Sequence, residues 1–434
     1  MSWSQVLDSP SMKACLWLIV PLFFLPKVNL ISMGGTETAG VRVDDILLFG
    51  FSLFFLFASL SLRKPLHKIE KALFALIALS LLSFAFNRLL LILDEINVTS
   101  SILYALRPLE YFLFFYIGQM AFGRLSLSLV MLLFLGWNAV IMTLQWLGLM
   151  PAVSVDGFMY VSGRIPGIAS FPSEMGALLN LLFCYFLFSG YIDERKEGIL
   201  KESLPYALFF SIGALVLWTA SRASLVAHVV AFIFYLKYCG KSRKMAQVSL
   251  GMLLLAIGGG VLVVILPHID ELYERSFALF SWDNLDLIEE VWHRIETSYN
   301  PLGNETVEYD DGYDMSWWMR IHKWCYALKV FVLNPECYLQ GIGPGFASAG
   351  LDGGLLRIFV ELGFIGTFLY AIFFKEMMNL SPYVKWMVVV LLMNMVFFDA
   401  HLAYKPMSLI FFSAGYALVE KEERLLSLAP AAVL

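Results

Sequence analysis

Apolar residues run along the chain in stretches far longer than a soluble helix or strand needs. Crossing the hydrocarbon of a bilayer takes roughly 20 mostly apolar residues. Twelve segments come close to that length: 14–31, 45–62, 72–93, 102–122, 125–149, 168–190, 204–220, 223–239, 247–266, 354–374, 384–398 and 407–419. Pro26 and Lys27 interrupt the first, and the polar hinge Asp399–Pro406 separates the last two. One long polar segment breaks the series, from His268 to about Gly353. Inside it Ile288, Val291, Trp292 and Ile295 follow helical spacing, as do Trp317, Ile321, Trp324 and Leu328. The pattern predicts two tryptophan-rich amphipathic helices lying on the membrane interface. The run Gly341-Ile-Gly343-Pro344-Gly345 then turns the chain back toward the bilayer. The expected fold is therefore an all-α integral membrane protein of about twelve transmembrane helices. Residues 1–266 carry nine, 267–353 form the loop, and 354–434 carry three.

Composition agrees with the pattern. Of 434 residues, 59% are hydrophobic and 15% charged, with a mean hydropathy of +0.75. Soluble domains carry about a quarter charged residues, so a soluble globular domain and a disordered chain are excluded. A net charge of −5 without a basic block excludes nucleic acid as a partner. No A-x-A-like site follows the first apolar run, so no cleavable signal peptide is expected. Five cysteines show no metal or redox spacing; Cys325 and Cys337 read as isolated thiols, with pairing on an oxidising side as the alternative. Asp310, Asp311 and Asp314, with Glu308, lack an ion-loop order and read as solvated, so no metal site is expected.

Charge orients the helices. The linkers 63–71, 193–201, 237–244 and 375–385, with Arg124 and the two termini, hold 17 of the 30 basic residues. All fall on one side if both termini are cytoplasmic, as the positive-inside rule requires. Outside the long loop the opposite side carries only Lys27, Lys405 and six arginines: Arg42, Arg88, Arg107, Arg164, Arg222 and Arg357. Arginine within a membrane helix usually faces a cavity or a partner, and its planar donor fork suits phosphate. Six at one leaflet predict a pocket for a strongly anionic headgroup. The competing reading is snorkelling, or pairing with local acids such as Glu110 for Arg107 and Glu361 for Arg357. The Gly/Pro-rich stretch Gly163–Glu174 is expected to leave backbone N–H groups free for an anion. Thr219-Ala-Ser221-Arg222 reads as a polar break at the same leaflet.

These motifs, taken in order, resemble the bacterial O-antigen polymerase and O-antigen ligase superfamily of envelope glycosyltransferases. The matching residues are Arg42-Val-Asp44-Asp45, Leu106-Arg107-Pro-Leu-Glu110, Gly163-Arg164-x-x-Gly167 and Thr219-Ala-Ser221-Arg222. After them come Arg320-x-x-x-Trp324, Gly341-Ile-Gly343-Pro344-Gly345 and Asp352…Glu361-Leu-Gly363-Phe-Ile-Gly366. The resemblance spans most of the chain. It implies a multi-pass protein of the bacterial inner membrane with its site facing the periplasm. Ligases of this superfamily carry a His-Asn pair where this chain reads Asp352-Gly353-Gly354, so the polymerase is favoured.

The implied reaction is metal-independent and needs no cofactor. It moves a growing glycan from undecaprenyl diphosphate to a sugar hydroxyl of an incoming lipid-linked repeat unit. Its partners are undecaprenyl-diphosphate-linked glycans and membrane lipids, with a chain-length regulator left open. Arg164 and Arg222 are expected at the diphosphate, helped by Arg42, Arg88, Arg107, Arg320 and Arg357. Asp352 is the leading base, His322 the second, and Glu361 orients Arg357. The rivals are an O-antigen ligase acting on lipid A core, a lipid-linked oligosaccharide or anion transporter, and a structural scaffold. Transporters commonly show internal repeats, and none is visible here.

Overall fold

The computed structural model describes residues 16–17, 29–32, 40–42, 66–88, 98–154, 157–159, 163–190, 199–239, 283–295, 315–346 and 350–428. The predicted spans 45–62 and 247–266, the acidic cluster 308–314 and most of the first span lie outside them. Every other predicted span is occupied by a helix. These are α1 (Lys68–Phe86), α2 (Val98–Ala121), α3 (Leu127–Trp146), α4 (Pro172–Phe188), α5 (Ile199–Trp218) and α6 (Arg222–Cys239). Beyond the polar segment follow α9 (Gly354–Met378), α10 (Pro382–Asn394) and α11 (Tyr404–Leu428). The polar segment itself holds α7 (Asp283–Arg294) and α8 (Met315–Leu333). Among the described residues three helices, α1, α3 and α9, are long and apolar enough to cross a membrane. The fold is thus helical, of membrane type by length and composition.

Two small antiparallel hairpins qualify the all-α expectation. β1 (Asn29–Ser32) pairs with β2 (Gly40–Arg42), opening with Asn29 opposite Arg42. β3 (Ala152–Ser154) pairs with β4 (Gly157–Met159). Each closes over a few residues between long apolar runs, where period-two alternation is too short to register.

Helix α4 is the pillar. Every residue from Glu174 to Phe188 is buried. Its polar residues Glu174 and Asn180 are satisfied inside the bundle, by Ser170 N–H and by Ser224 O. It packs against α5, α6, α10 and α11. Pro172 opens it at the first helical position, where a missing N–H costs nothing. The outer faces of α1, α3 and α6 instead expose Leu82, Leu132, Trp137 and Ile233, as helices facing lipid do.

The closest helix pair is α2 against α11. A β-carbon at Gly118 would strike the Phe412 carbonyl, and one at Gly415 would strike the Phe115 carbonyl. Small residues let two backbones touch where no hydrophobic drive exists between helices in lipid.

The two helices of the polar segment pack against each other. α7 turns Leu287, Val291 and Ile295 inward onto Ile321 and Cys325 of α8, forming a second core that continues into Leu351 and Val360. The apolar stripes were expected on the membrane interface. They face each other because two amphipathic helices in sequence remove more apolar surface from water by pairing than either does alone. Helix α9 is also not continuous. Gly363 adopts φ +62° inside it. The segment 338–343 fits into that break: Ile342 N–H donates to Val360 O, Gly343 N–H to Glu361 O, and Phe364 N–H to Tyr338 O, each at 2.9 Å. The Gly341–Gly345 run and the Glu361–Gly366 run, far apart in sequence, therefore interlock. A β-carbon at Gly363 would sit 2.6 Å from the carbonyls of Tyr338 and Leu339.

Candidate functional site

The predicted arginines sort into two groups. The first gathers about Asp352, in the turn between the polar segment and α9. Its side chain remains 43% exposed, and Arg320 of α8 lies 3.9 Å away (Nε to Oδ2). Lys323, one helical turn on, donates to Gly350 O at 3.0 Å, and Trp324 Nε1 donates to Leu351 O at 2.9 Å. Residues 320, 323 and 324 share one face of α8 by their i, i+3, i+4 spacing. Arg164 reaches the same carboxyl electrostatically. Partial burial raises the Asp352 carboxyl above its ordinary range, and Asp399 adds to the rise; Arg320, Lys323 and Arg164 oppose it.

Arg164 is held by the break between α5 and α6. Ile165 N–H donates to Trp218 O at 2.9 Å, and Arg164 Nε to Thr219 O at 3.4 Å. Arg222 opens α6 three residues beyond Thr219. The two arginines expected at a diphosphate are thus carried by segments that hydrogen-bond to each other. Ala220 between them takes φ +48°, a left-handed turn that lets α6 start at once. Ser224 fixes the break to the bundle: its hydroxyl donates to Asn394 Oδ1 at 2.8 Å, and its carbonyl accepts from Asn180 Nδ2 at 2.7 Å. Trp146 stacks on Trp218 at 5.4 Å at this level, a residue type that collects at membrane–water interfaces.

The stretch after Gly163 uses several of its backbone donors within the protein. Gly167 N–H goes to Gln145 Oε1 at 2.9 Å, Ala169 N–H to Pro166 O at 3.0 Å and Ser170 N–H to Glu174 Oε2 at 3.0 Å. Burial favours this, since a buried N–H without an acceptor is costly.

The second group is closed. Arg357 is 1% exposed and lies between two carboxylates, Asp399 (2.9 Å) and Glu361 (3.2 Å). Its guanidinium also rests 4.7 Å from the centre of the Tyr104 ring. Arg107 approaches the same ring, hydrogen-bonds Tyr111, and Tyr111 in turn donates to Leu402 O at 2.5 Å. Glu361 does face Arg357, as expected, and Arg357 serves the protein's own carboxylates. Arg357 holds Asp399 below the usual carboxylate range against the opposing effect of burial.

The remaining predicted residues scatter. Arg88 is exposed just past the end of α1. Arg42 ends β2, and its side chain lies outside what is described. His322 bonds through Nδ1 to Trp318 O of its own helix at 2.9 Å and is influenced by Glu290 of α7. That puts it off the Arg320–Lys323–Trp324 face, and burial lowers its basicity. Cys325 and Cys337 are free thiols, each pushed up by burial to about 11. Among the described residues no group of three or more His, Cys, Asp or Glu is placed to hold a metal ion.

Sequence reasoning missed Asp399, Lys323 and Tyr104. Asp399 had a signal: a carboxylate between two apolar helices is costly without a partner. No known family model matches the chain, and no curated protein matches it significantly.

Proposed function

We propose that this chain is a polytopic glycosyltransferase of the bacterial inner membrane, of O-antigen polymerase type. It transfers a growing glycan from undecaprenyl diphosphate to a sugar hydroxyl of an incoming lipid-linked repeat unit. In this reading twelve helices cross the membrane, both termini are cytoplasmic, and the Asp352 turn faces the periplasm. The observation that carries the reading is the position of Asp352, half-open and facing Arg164, Arg320 and Lys323.

A carboxylate beside several cations at a membrane surface suits this reaction on two counts. The acceptor oxygen bonds to the anomeric carbon while the carbon–oxygen bond to the diphosphate breaks, so charge grows on the leaving group. Guanidinium groups aimed at those oxygens stabilise that charge. Arg164 and Arg222 take this role, and Arg320 and Lys323 stand at the Asp352 turn. The acceptor hydroxyl loses its proton to Asp352, which releases it to water afterwards. Partial burial of Asp352 raises its basicity above that of a fully solvated carboxylate, in the direction a base requires.

The test is reconstitution. Purified protein in lipid, given lipid-linked repeat units and no nucleotide or ion gradient, yields a ladder of longer lipid-linked glycans. Movement of units across the bilayer without lengthening would establish a transporter instead. The ladder's reducing end on lipid A core rather than on the lipid carrier would establish a ligase.

A further inference from the structure

We infer that Asp399 is a positioning residue for Asp352: its buried carboxylate grips the backbone on both sides of that residue and so aims it. The inference rests on the reading of Asp352 as the acceptor base.

Asp352 takes φ +54°, the left-handed region that L residues rarely adopt. A single residue in that conformation reverses the chain, and something must hold it there. Asp399 Oδ2 accepts from Leu351 N–H at 3.1 Å, and its Oδ1 accepts from Gly353 N–H at 3.2 Å. The residues before and after Asp352 are thereby pinned to one carboxylate. The pin is itself fixed, since Arg357 donates to Asp399 Oδ2 at 2.9 Å and is braced by Glu361. From the other side α8 holds the same turn through Lys323 on Gly350 O and Trp324 on Leu351 O. Asp399 does not contact the reacting atoms in this arrangement, because both of its oxygens are taken by Leu351, Gly353 and Arg357. It acts through the direction it gives the Asp352 side chain.

This division explains why two aspartates of opposite character sit so close. Asp399 is buried and charge-paired; Asp352 is half-exposed beside Arg320. A buried ion pair is weak evidence for stability and is better explained where it fixes a specific geometry. Here that geometry is a strained turn ending in a carboxylate, and strained turns persist where surrounding contacts over-determine them.

The experiment compares the full chain with Asp399→Asn and Asp352→Asn. Asparagine at 399 keeps one oxygen, and with it a bond to one of the two N–H groups, and presents an NH2 to the other. Amide hydrogen exchange of the 350–354 segment should quicken about tenfold or more, as loss of a bond to a charged acceptor implies. Peptides from α4 should not change. In the transfer assay kcat should fall while KM for the lipid-linked donor holds within about twofold, the signature of a lost transition-state arrangement. If Asp399→Asn fails to accumulate, Asp399→Glu keeps the charge for Arg357 but moves the oxygens by one methylene, and the same exchange and kcat changes are expected. Unchanged exchange at 350–354 in whichever variant accumulates overturns the inference. So does a raised KM with kcat preserved. The exchange measurement uses no substrate, so it is independent of the base assignment. That assignment fails separately, if Asp352→Asn transfers at the parent rate.

Discussion

Two arginine clusters stand within one end of this molecule, and they use the same chemistry to opposite ends. Around Arg357 the charges are held inside the protein: one guanidinium between two carboxylates, so that negative charge is in excess, with an aromatic face and almost no exposure. Around Asp352 the balance is reversed, with one half-exposed carboxylate facing Arg164, Arg320 and Lys323. The first cluster has no electrostatic need for an outside anion. The second lies beside solvent, with the Asp352 side chain 43% exposed. Counting arginines at a leaflet cannot separate the two, because what matters is how many carboxylates the fold delivers to each.

The largest effect should come from opening the closed cluster. Arg357→Met removes the cation and leaves Asp399 and Glu361 buried together, at a cost of about 3–5 kcal/mol. Chemical unfolding in detergent should register that loss, or the protein should fail to accumulate. Normal stability would mean that the two carboxylates find other partners and that the cluster is not closed.

In the open cluster the effect should be on rate. Asp352→Asn is the cleaner substitution because asparagine also tolerates the left-handed turn. Transfer should drop about 10²-fold or more, the usual scale for a general base, with unfolding unchanged. Next in size, Arg164→Lys and Arg222→Lys keep the charge and lose the planar fork. Losing one charge-assisted bond to phosphate should lower transfer by about tenfold. Arg124→Lys, whose parent side chain caps the Met120 carbonyl at the other end, should transfer normally. Full activity in both Lys variants at 164 and 222 would mean that they snorkel and that the open cluster holds no diphosphate.

How much of this was legible depends on the range of the interaction. Helix α4 could be read as a helix from its apolar run, but not as the buried pillar, since α3 is just as apolar and exposes Leu132 and Trp137. α7 and α8 could be read as helices from spacing, but not as partners: periodicity gives a face and not what covers it. The break at Gly363 was hidden, since one glycine in a helical pattern looks like tolerance rather than interruption. Its cause is the segment 338–343 inserting its backbone, a contact across some twenty residues. The open cluster was legible in part. Arg164 and Arg222 stood out as costly residue types at one leaflet, while Arg320 and Asp352 came in only through the family resemblance. Asp399 carried only the general signal of a carboxylate between two apolar helices, because the two backbone N–H groups that it accepts from leave no trace in the sequence.

The smallest effect tests how tightly the closed cluster excludes further charge. His401 stands beside it, 5% exposed and edge-on to the Tyr370 ring. Burial, together with Arg357 and Arg107, pushes its pKa down to about 3, against the pull of Asp399. The ordinary value in an unfolded chain is 6.5. Below pH 6.5 the unfolded chain therefore takes up a proton at this residue that the folded chain refuses. The sign follows: stability falls as pH drops from about 6.5 toward about 3, by up to about 1.4 kcal/mol per pH unit for one proton. Asp352 works the other way over part of that range. Its carboxyl is raised in the folded state, so acidification there is stabilising. The difference between parent and His401→Gln isolates the imidazole. Chemical unfolding between pH 6 and pH 4 should show the parent losing stability more steeply than the variant, by an amount approaching that single-proton slope. Equal slopes would mean that His401 is protonated in the folded protein. A cation would then already stand beside Arg357, and the idea that burial keeps further positive charge out of that cluster would have to be given up.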